Sequence, residues 1–207
     1  MDGVFRRRRA VDPVDPVDPV DSVDSLDSVA GRSNESDDST RARRLIVVAG
    51  SVEEWAAFDE AQWSERLATV GVAAAAAGIE SVRIVPSAGD RARGRAIGER
   101  RLHVGGCEVL ADPRPDGRAN VVDAINQMSG SITEESLQSQ IGGSGGDVDL
   151  VIVLGEPDVL PQALVWELAY AELVYIDAGW STLSSEHVRR SLEEFAVRQR
   201  RFGGVIE

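Results

Sequence analysis

The chain contains no lysine: all 22 of its basic residues are arginine, set against 35 aspartates and glutamates. The net charge of -13 argues against general affinity for nucleic acid, whose phosphate backbone calls for a net basic face. Acid excess without lysine points to a high-salt cytoplasm, where net negative charge keeps proteins dispersed. A GC-rich genome that favours arginine codons is the plainer alternative. The single cysteine, Cys107, excludes an intrachain disulfide and fits a reducing compartment. The two histidines, His103 and His187, suggest no Ser/His/Asp set. His103 and Cys107 give two ligands where a zinc site needs four, so packing is the expected role of both. No apolar run approaches the roughly 20 residues a membrane helix requires. The basic N-terminus runs into an Asp/Pro repeat instead of an apolar segment, so it does not read as a secretory signal. A cytoplasmic location is expected.

Residues 1–42 read as a disordered tail and 43–207 as one domain. Between Val11 and Ser28 the chain repeats Val-Asp-Pro and drifts to Val-Asp-Ser and Leu-Asp-Ser. Proline blocks helix and central strand, and the aspartates repel one another. Arg6–Arg9 reads as a solvated terminus, with peripheral membrane contact as the most it implies. Beyond the tail, Leu45–Ala49, Ser81–Pro86, Leu102–Leu110 and Asp149–Leu154 read as strands. Ser64–Gly78, Asn120–Met128, Thr133–Ile141, Gln162–Tyr175 and Ser184–Arg201 read as helices. Asp90–Arg101 fits a loop or a polar helix. The glycines of Gly142–Gly146 precede a strand instead of opening a helix, so they are not a phosphate loop. Strands alternating with helices predict an α/β fold, a mostly parallel sheet covered on both faces.

Three pieces of the last third carry a resemblance. They are the strand Asp149–Ile152, the run Trp166-Glu167-Leu168-Ala169-Tyr170-Ala171-Glu172-Leu173, and the ending Arg200-Arg201-Phe202-Gly203-Gly204. They resemble the cis-prenyltransferases, which include undecaprenyl and dehydrodolichyl diphosphate synthases. These enzymes condense isopentenyl diphosphate onto an allylic diphosphate with Mg²⁺. Their first motif, roughly Met-Asp-Gly-Asn-x-Arg-Trp-Ala, corresponds here to Ala49-Gly50-Ser51-Val52-Glu53-Glu54-Trp55-Ala56. Trp55 and Ala56 match. Gly50 replaces the metal-holding Asp, Val52 the Asn and Glu54 the Arg. The second motif, roughly Arg-Thr-Gly-Gly-Glu-x-Arg-x-Ser-Asn, corresponds to Val153 through Gln162. Val153 and Val159 stand where the two diphosphate-binding arginines belong, and Pro161 stands where the serine does. Asp116-Gly117-Arg118 resembles the family's Gly-Gly-Arg before a helix.

The resemblance implies that both in-subunit sites have lost their charge while the ending is kept. In the family, Arg201, Phe202 and Gly203 would reach the partner's diphosphate site. Arginine supplies a forked cation, and glycine lets backbone approach phosphate; helix capping is the bland account of the same residues. Glu172 matches a carboxylate that helps hold Mg²⁺ from the neighbouring subunit. Its other reading is a polar residue closing a helix. Trp166 and Tyr170, four apart, would share one helix face in the core or at an interface. The pattern is similar to the noncatalytic, Nogo-B-receptor-type subunit of heteromeric cis-prenyltransferases. It implies an activating subunit paired with an intact homologue, which would hold most of the Mg²⁺ and handle both diphosphates. Membrane association would then come through the product or the partner. Two alternatives stay open: a standalone prenyltransferase with a rebuilt site, and a repurposed prenyl-lipid-binding protein.

Overall fold

The structure is a computed structural model describing residues 41–142, 147–157, 160–169 and 171–202, with 199–202 described by backbone alone. The acidic repeat, Val159, Tyr170 and Gly203 lie outside the described residues, as do the side chains of Arg201 and Phe202. In chain order the elements are β1 (Arg44–Val48), α1 (Val52–Ala57), α2 (Glu60–Ala76), β2 (Ser81–Val85), α3 (Arg91–Ile97), β3 (Arg100–Val104) and β4 (Cys107–Ala111). There follow α4 (Gly117–Gln127), α5 (Glu134–Gly142), β5 (Leu150–Leu154), β6 (Glu172–Ile176) and α6 (Ser185–Phe202). Short 3-10 turns at Glu167–Ala169 and Trp180–Thr182 flank β6.

The strands form one six-stranded sheet in the order β3-β4-β2-β1-β5-β6. All neighbours are parallel except the β3–β4 pair. The expected α/β architecture is the observed one. Alternation along β1 divides its side chains between two cores. Leu45, Val47 and Ala49 join Trp55, Trp63, Leu67, Val188 and Phe195 on the α2/α6 side. Ile46 and Val48 join Val151, Val153, Ala163 and Leu164 on the other. Burial on both faces is why Leu45–Val48 of β1 and the whole of β5 are apolar with no polar alternation. A third cluster, Ala124, Leu137 and Ile141, closes α4 onto α5. Gly71 lets α2 approach β4, since a Cβ there would stand 3.0 Å from Val109 Cγ2.

The domain's first contacts come just before β1. Ala42 is buried in the main core. The Arg43 and Arg44 amides each donate to Asp149 Oδ2 at 2.8 Å, tying the start of β1 to the approach of β5.

Two expectations are corrected. The apolar stretch Gln162–Tyr175 is not a helix. It forms a 3-10 turn and then β6, paired in parallel with β5 from Leu150↔Glu172 to Leu154↔Ile176. A short apolar run does not by itself distinguish a helix from a buried strand. The β-branched and aromatic Val174-Tyr175-Ile176 finds the open edge of β5, and pairing decides the outcome. Trp166 therefore does not lie on an α-helix, and Tyr170, expected to share its face, lies outside the described residues. Next, Leu102–Leu110 is not one strand but a hairpin, reversed at Gly105 and Gly106 with φ of 53° and 87°. The helix expected over Ser184–Arg201 is α6, Ser185–Phe202, with Arg201 in its last turn. The ambiguous Asp90–Arg101 segment holds α3, opened by the Asp90 carboxylate accepting from the Arg93 amide.

Candidate functional site at the ends of β1 and β5

In open parallel sheets, ligand sites lie beyond the carboxyl ends of the strands. The first such corner here is Ala49–Glu54. Gly50 has φ of +66°, a left-handed conformation that side chains other than glycine's rarely tolerate. Its carbonyl accepts from both the amide and the hydroxyl of Ser87, each at 2.7 Å. A Cβ at this position would lie 3.1 Å from both Glu54 Oε2 and Trp180 Cβ.

The α1 N-terminus is likewise closed. Ser51 Oγ accepts from the Glu54 amide, and Glu54 Oε2 accepts from the Ser51 amide at 2.7 Å. This capping box satisfies two orphan donors reciprocally. It also places a carboxylate where an anion would otherwise meet the helix end. Below it, Trp55 donates from Nε1 to the Ala49 carbonyl at 2.7 Å. Trp55 meets Trp63 edge-on with centroids 5.0 Å apart, and Phe58 stacks on Trp180 at 6.2 Å with planes 7° apart. The three tryptophans are almost wholly buried.

The second corner lies at the end of β5. Val153 is 5% exposed and packs among Ile46, Val48 and Val85. Its position is an apolar core, and a cation there would be desolvated without a partner. Glu172 lies at the other end of the sheet. It pairs in register with Leu150, whereas Val48 pairs with Val153. The structure therefore does not bring Glu172 together with Gly50 within this chain. Trp166 packs inside the molecule against the α4/α5 cluster, its indole N–H donating to Gln138 Oε1.

Mg²⁺ chemistry would require carboxylates at this corner, and the residues present do not fit it. The position expected to bear Asp is a left-handed glycine under Trp180, and Glu54 is engaged by the Ser51 amide. Among the described residues no group of three or more His, Cys, Asp or Glu is arranged to hold a metal ion. Cys107 is fully buried, and that burial pushes its thiol pKa up, away from the thiolate a ligand would need. His103 is exposed on β3, in register with Glu108.

Sequence reading missed a buried charge network behind β2. Arg83 donates from Nη1 to the Ile141 carbonyl at 2.9 Å and forms an ion pair with Glu167. Their side chains are 13% and 3% exposed. Burial pulls the Arg83 pKa down, against the attraction of nearby Asp112 and together with the repulsion of Arg114. Asp112 in turn takes two bonds from the Arg114 guanidinium, each at 2.7 Å. The available signal was an arginine in the centre of an otherwise apolar strand, Ser81–Val85.

Residues 115–203 match the family profile described as "Putative undecaprenyl diphosphate synthase". Over that span the chain is cis-prenyltransferase-like. An isoprenyl transferase of Fusobacterium nucleatum is 34% identical over 92 residues, covering 42% of this chain and 40% of that protein. A ditrans,polycis-undecaprenyl-diphosphate synthase ((2E,6E)-farnesyl-diphosphate specific) of Yersinia pseudotuberculosis is 42% identical over 75 residues, 36% of this chain and 30% of that enzyme. The chain thus matches well under half the length of these curated relatives. The crystal structure of a probable undecaprenyl diphosphate synthase from Campylobacter jejuni superposes with a TM-score of 0.53 at 16% identity, covering 79% of this chain and 99% of that one. At that identity the superposition speaks to the fold, which the cis-prenyltransferase-like chain shares. No helix among the described residues is long and apolar enough to cross a membrane.

Proposed function

We propose that this cis-prenyltransferase-like chain is a noncatalytic, activating subunit of a heteromeric polyprenyl diphosphate synthase. Its partner would be an intact homologue carrying the metal-binding Asp, both arginines and most of the Mg²⁺. One observation carries the reading: the corner that should hold the first diphosphate is closed by Gly50, Trp180 and the Glu54 cap. The burial of Val153 in an apolar cluster supports it from the second site. The Arg201-Phe202-Gly203 ending is the part expected to serve the partner's substrate. It falls within the span matched to the family profile.

The test is an elongation assay with isopentenyl diphosphate, an allylic diphosphate and Mg²⁺. The purified chain alone should give no polyprenyl product. The intact homologue from the same genome should co-purify with it and turn over faster in the complex than alone. Steady turnover by the isolated chain, in a preparation free of host synthase, would overturn the proposal. So would the lack of any intact homologue in that genome.

A further inference from the structure

The six-stranded sheet ends in β6 on one side and in β3 on the other. β6 lies beside α6, and its Leu173 carbonyl accepts from Arg198 Nη1 at 2.8 Å. β3 pairs only with β4 among the described residues. Register and hydrogen bonds decide which way the β3 backbone faces. The Glu108 and Asp112 amides donate to the Glu80 and Ile84 carbonyls, so this alternate set of residues turns toward β2. Cys107, Val109 and Ala111 therefore turn toward β3, where they pair with Val104, Leu102 and Arg100. The N–H and C=O groups of Arg101 and His103, between these, point out of the sheet and have no partner among the described residues.

An unpaired edge is a template for another strand, and a charged side chain is a common means of blocking it. Here the block is weak. Arg101 is drawn back over the sheet, bonded to Glu108 of β4 at 2.8 Å and to Glu99 at 3.2 Å. Its charge is balanced and held off the edge. On the other face α2 meets β3 through small residues. A Cβ on Gly71 would stand 3.1 Å from Val104 Cγ2, and one on Gly105 would stand 3.1 Å from Ala75 Cβ. Leu102 packs against the main core from β3 and stays partly exposed.

We propose that β3 pairs antiparallel with the β3 of a second copy of this chain, about a two-fold axis through Leu102. With the axis there, Arg101 meets His103 of the second copy and His103 meets its Arg101. Each such pair exchanges two backbone hydrogen bonds. Leu102 faces its own counterpart and adds an apolar pair on the α2 side. An axis through Arg101 would set one arginine directly opposite another, which is unfavourable. An axis through His103 would set Arg101 opposite Gly105, which is left-handed and outside the strand. The contact is self-complementary and closes at two copies, with one sheet running through both. It uses neither β6 nor α6 and does not rest on the activating-subunit reading.

Sedimentation equilibrium of the full-length chain, with no partner or substrate present, tests it. The chain should dimerise reversibly with rising concentration. His103→Pro removes an outward N–H and keeps the bonds of β3 to β4, so it should weaken the dimer by about tenfold or more. His103→Arg should also weaken it, by setting a cation opposite Arg101. Circular dichroism checks that both variants fold. Crosslinking tests the axis. Opposed residues of a non-hydrogen-bonded pair lie about 4.5 Å apart at Cα, within disulfide reach. In a Cys107→Ala background, Leu102→Cys should give a disulfide-linked dimer on mild oxidation, and Ser185→Cys, exposed on α6, should not. The proposal is overturned if the chain stays monomeric throughout the micromolar range. It is also overturned if a dimer forms that neither His103 variant weakens, or that Leu102→Cys does not crosslink.

Discussion

Trp180 lies against the α-carbon of Gly50, its Cβ 3.1 Å from where a side chain on that glycine would begin. The two residues are far apart in sequence, and their contact closes the corner at which a diphosphate would be expected. A carboxylate cannot simply be put back. Gly50→Asp should fail to confer elongation activity on the isolated chain. It should also destabilise the fold by at least about 1–2 kcal/mol from the left-handed backbone alone, and more if Trp180 must move. Urea denaturation and the elongation assay read both. A stable, active variant would show that only the aspartate was missing.

Arg83 and Glu167 should be worth far more together than either is alone. Removing one partner of a buried pair leaves an uncompensated charge, at a cost of about 3–5 kcal/mol. Glu167→Ala should therefore be severely destabilised. The double replacement Arg83→Met/Glu167→Leu should recover much of the loss. A double-mutant cycle by denaturation measures the coupling; additive single effects would mean that the pair is not coupled in solution.

Cys107 should be silent to thiol reagents in the native state. Burial raises its pKa, so folding favours the neutral thiol. Stability from this group is fully present below the thiol's ordinary value. It is lost as pH rises from there through the folded pKa, because the unfolded chain ionises first. Alkaline titration of the melting temperature should show this decline, and Cys107→Ala should flatten it. Rapid native-state labelling near neutral pH would contradict the assignment.

Removing residues 1–40 should leave the melting temperature within a few degrees in matched salt. An acidic Val-Asp-Pro repeat cannot bury enough apolar area to offset the ordering cost of roughly 1–2 kcal/mol per residue. The cut must stop there. Ala42 is core, and the Arg43 amide bonds Asp149. Removing residues 1–44 should lower the melting temperature clearly. Equal melting of the two truncations would show that these contacts carry no weight.

Arg201→Ala and Gly203→Ala should lower activity of the complex with an intact homologue by roughly 30- to 1000-fold, the equivalent of about 2–4 kcal/mol of phosphate contact. Co-purification should persist. Full activity in both variants would reduce this ending to a helix terminus and remove a main support of the subunit proposal.

Much of the fold was legible in the sequence. The short, Val- and Ile-rich apolar runs Leu45–Ala49 and Asp149–Leu154 read as buried strands and form β1 and β5, and an alternation of strands with helices leaves a parallel sheet as the simplest solution. That positions 50 and 153 carry no charge is also read directly from the sequence. Other features were decided by tertiary contact. The Glu172–Ile176 segment could have continued a helix and became a strand because β5 offered an unpaired edge. Arg83 is tolerable in the sheet only because Glu167 and the Ile141 carbonyl arrive from elsewhere in the chain. That Gly50 takes a left-handed backbone with Trp180 packed against it could not be read from the sequence. Local pattern fixes which residues must leave water. Which distant partners meet them is set by packing, and here packing determined that the corner at Gly50 is closed.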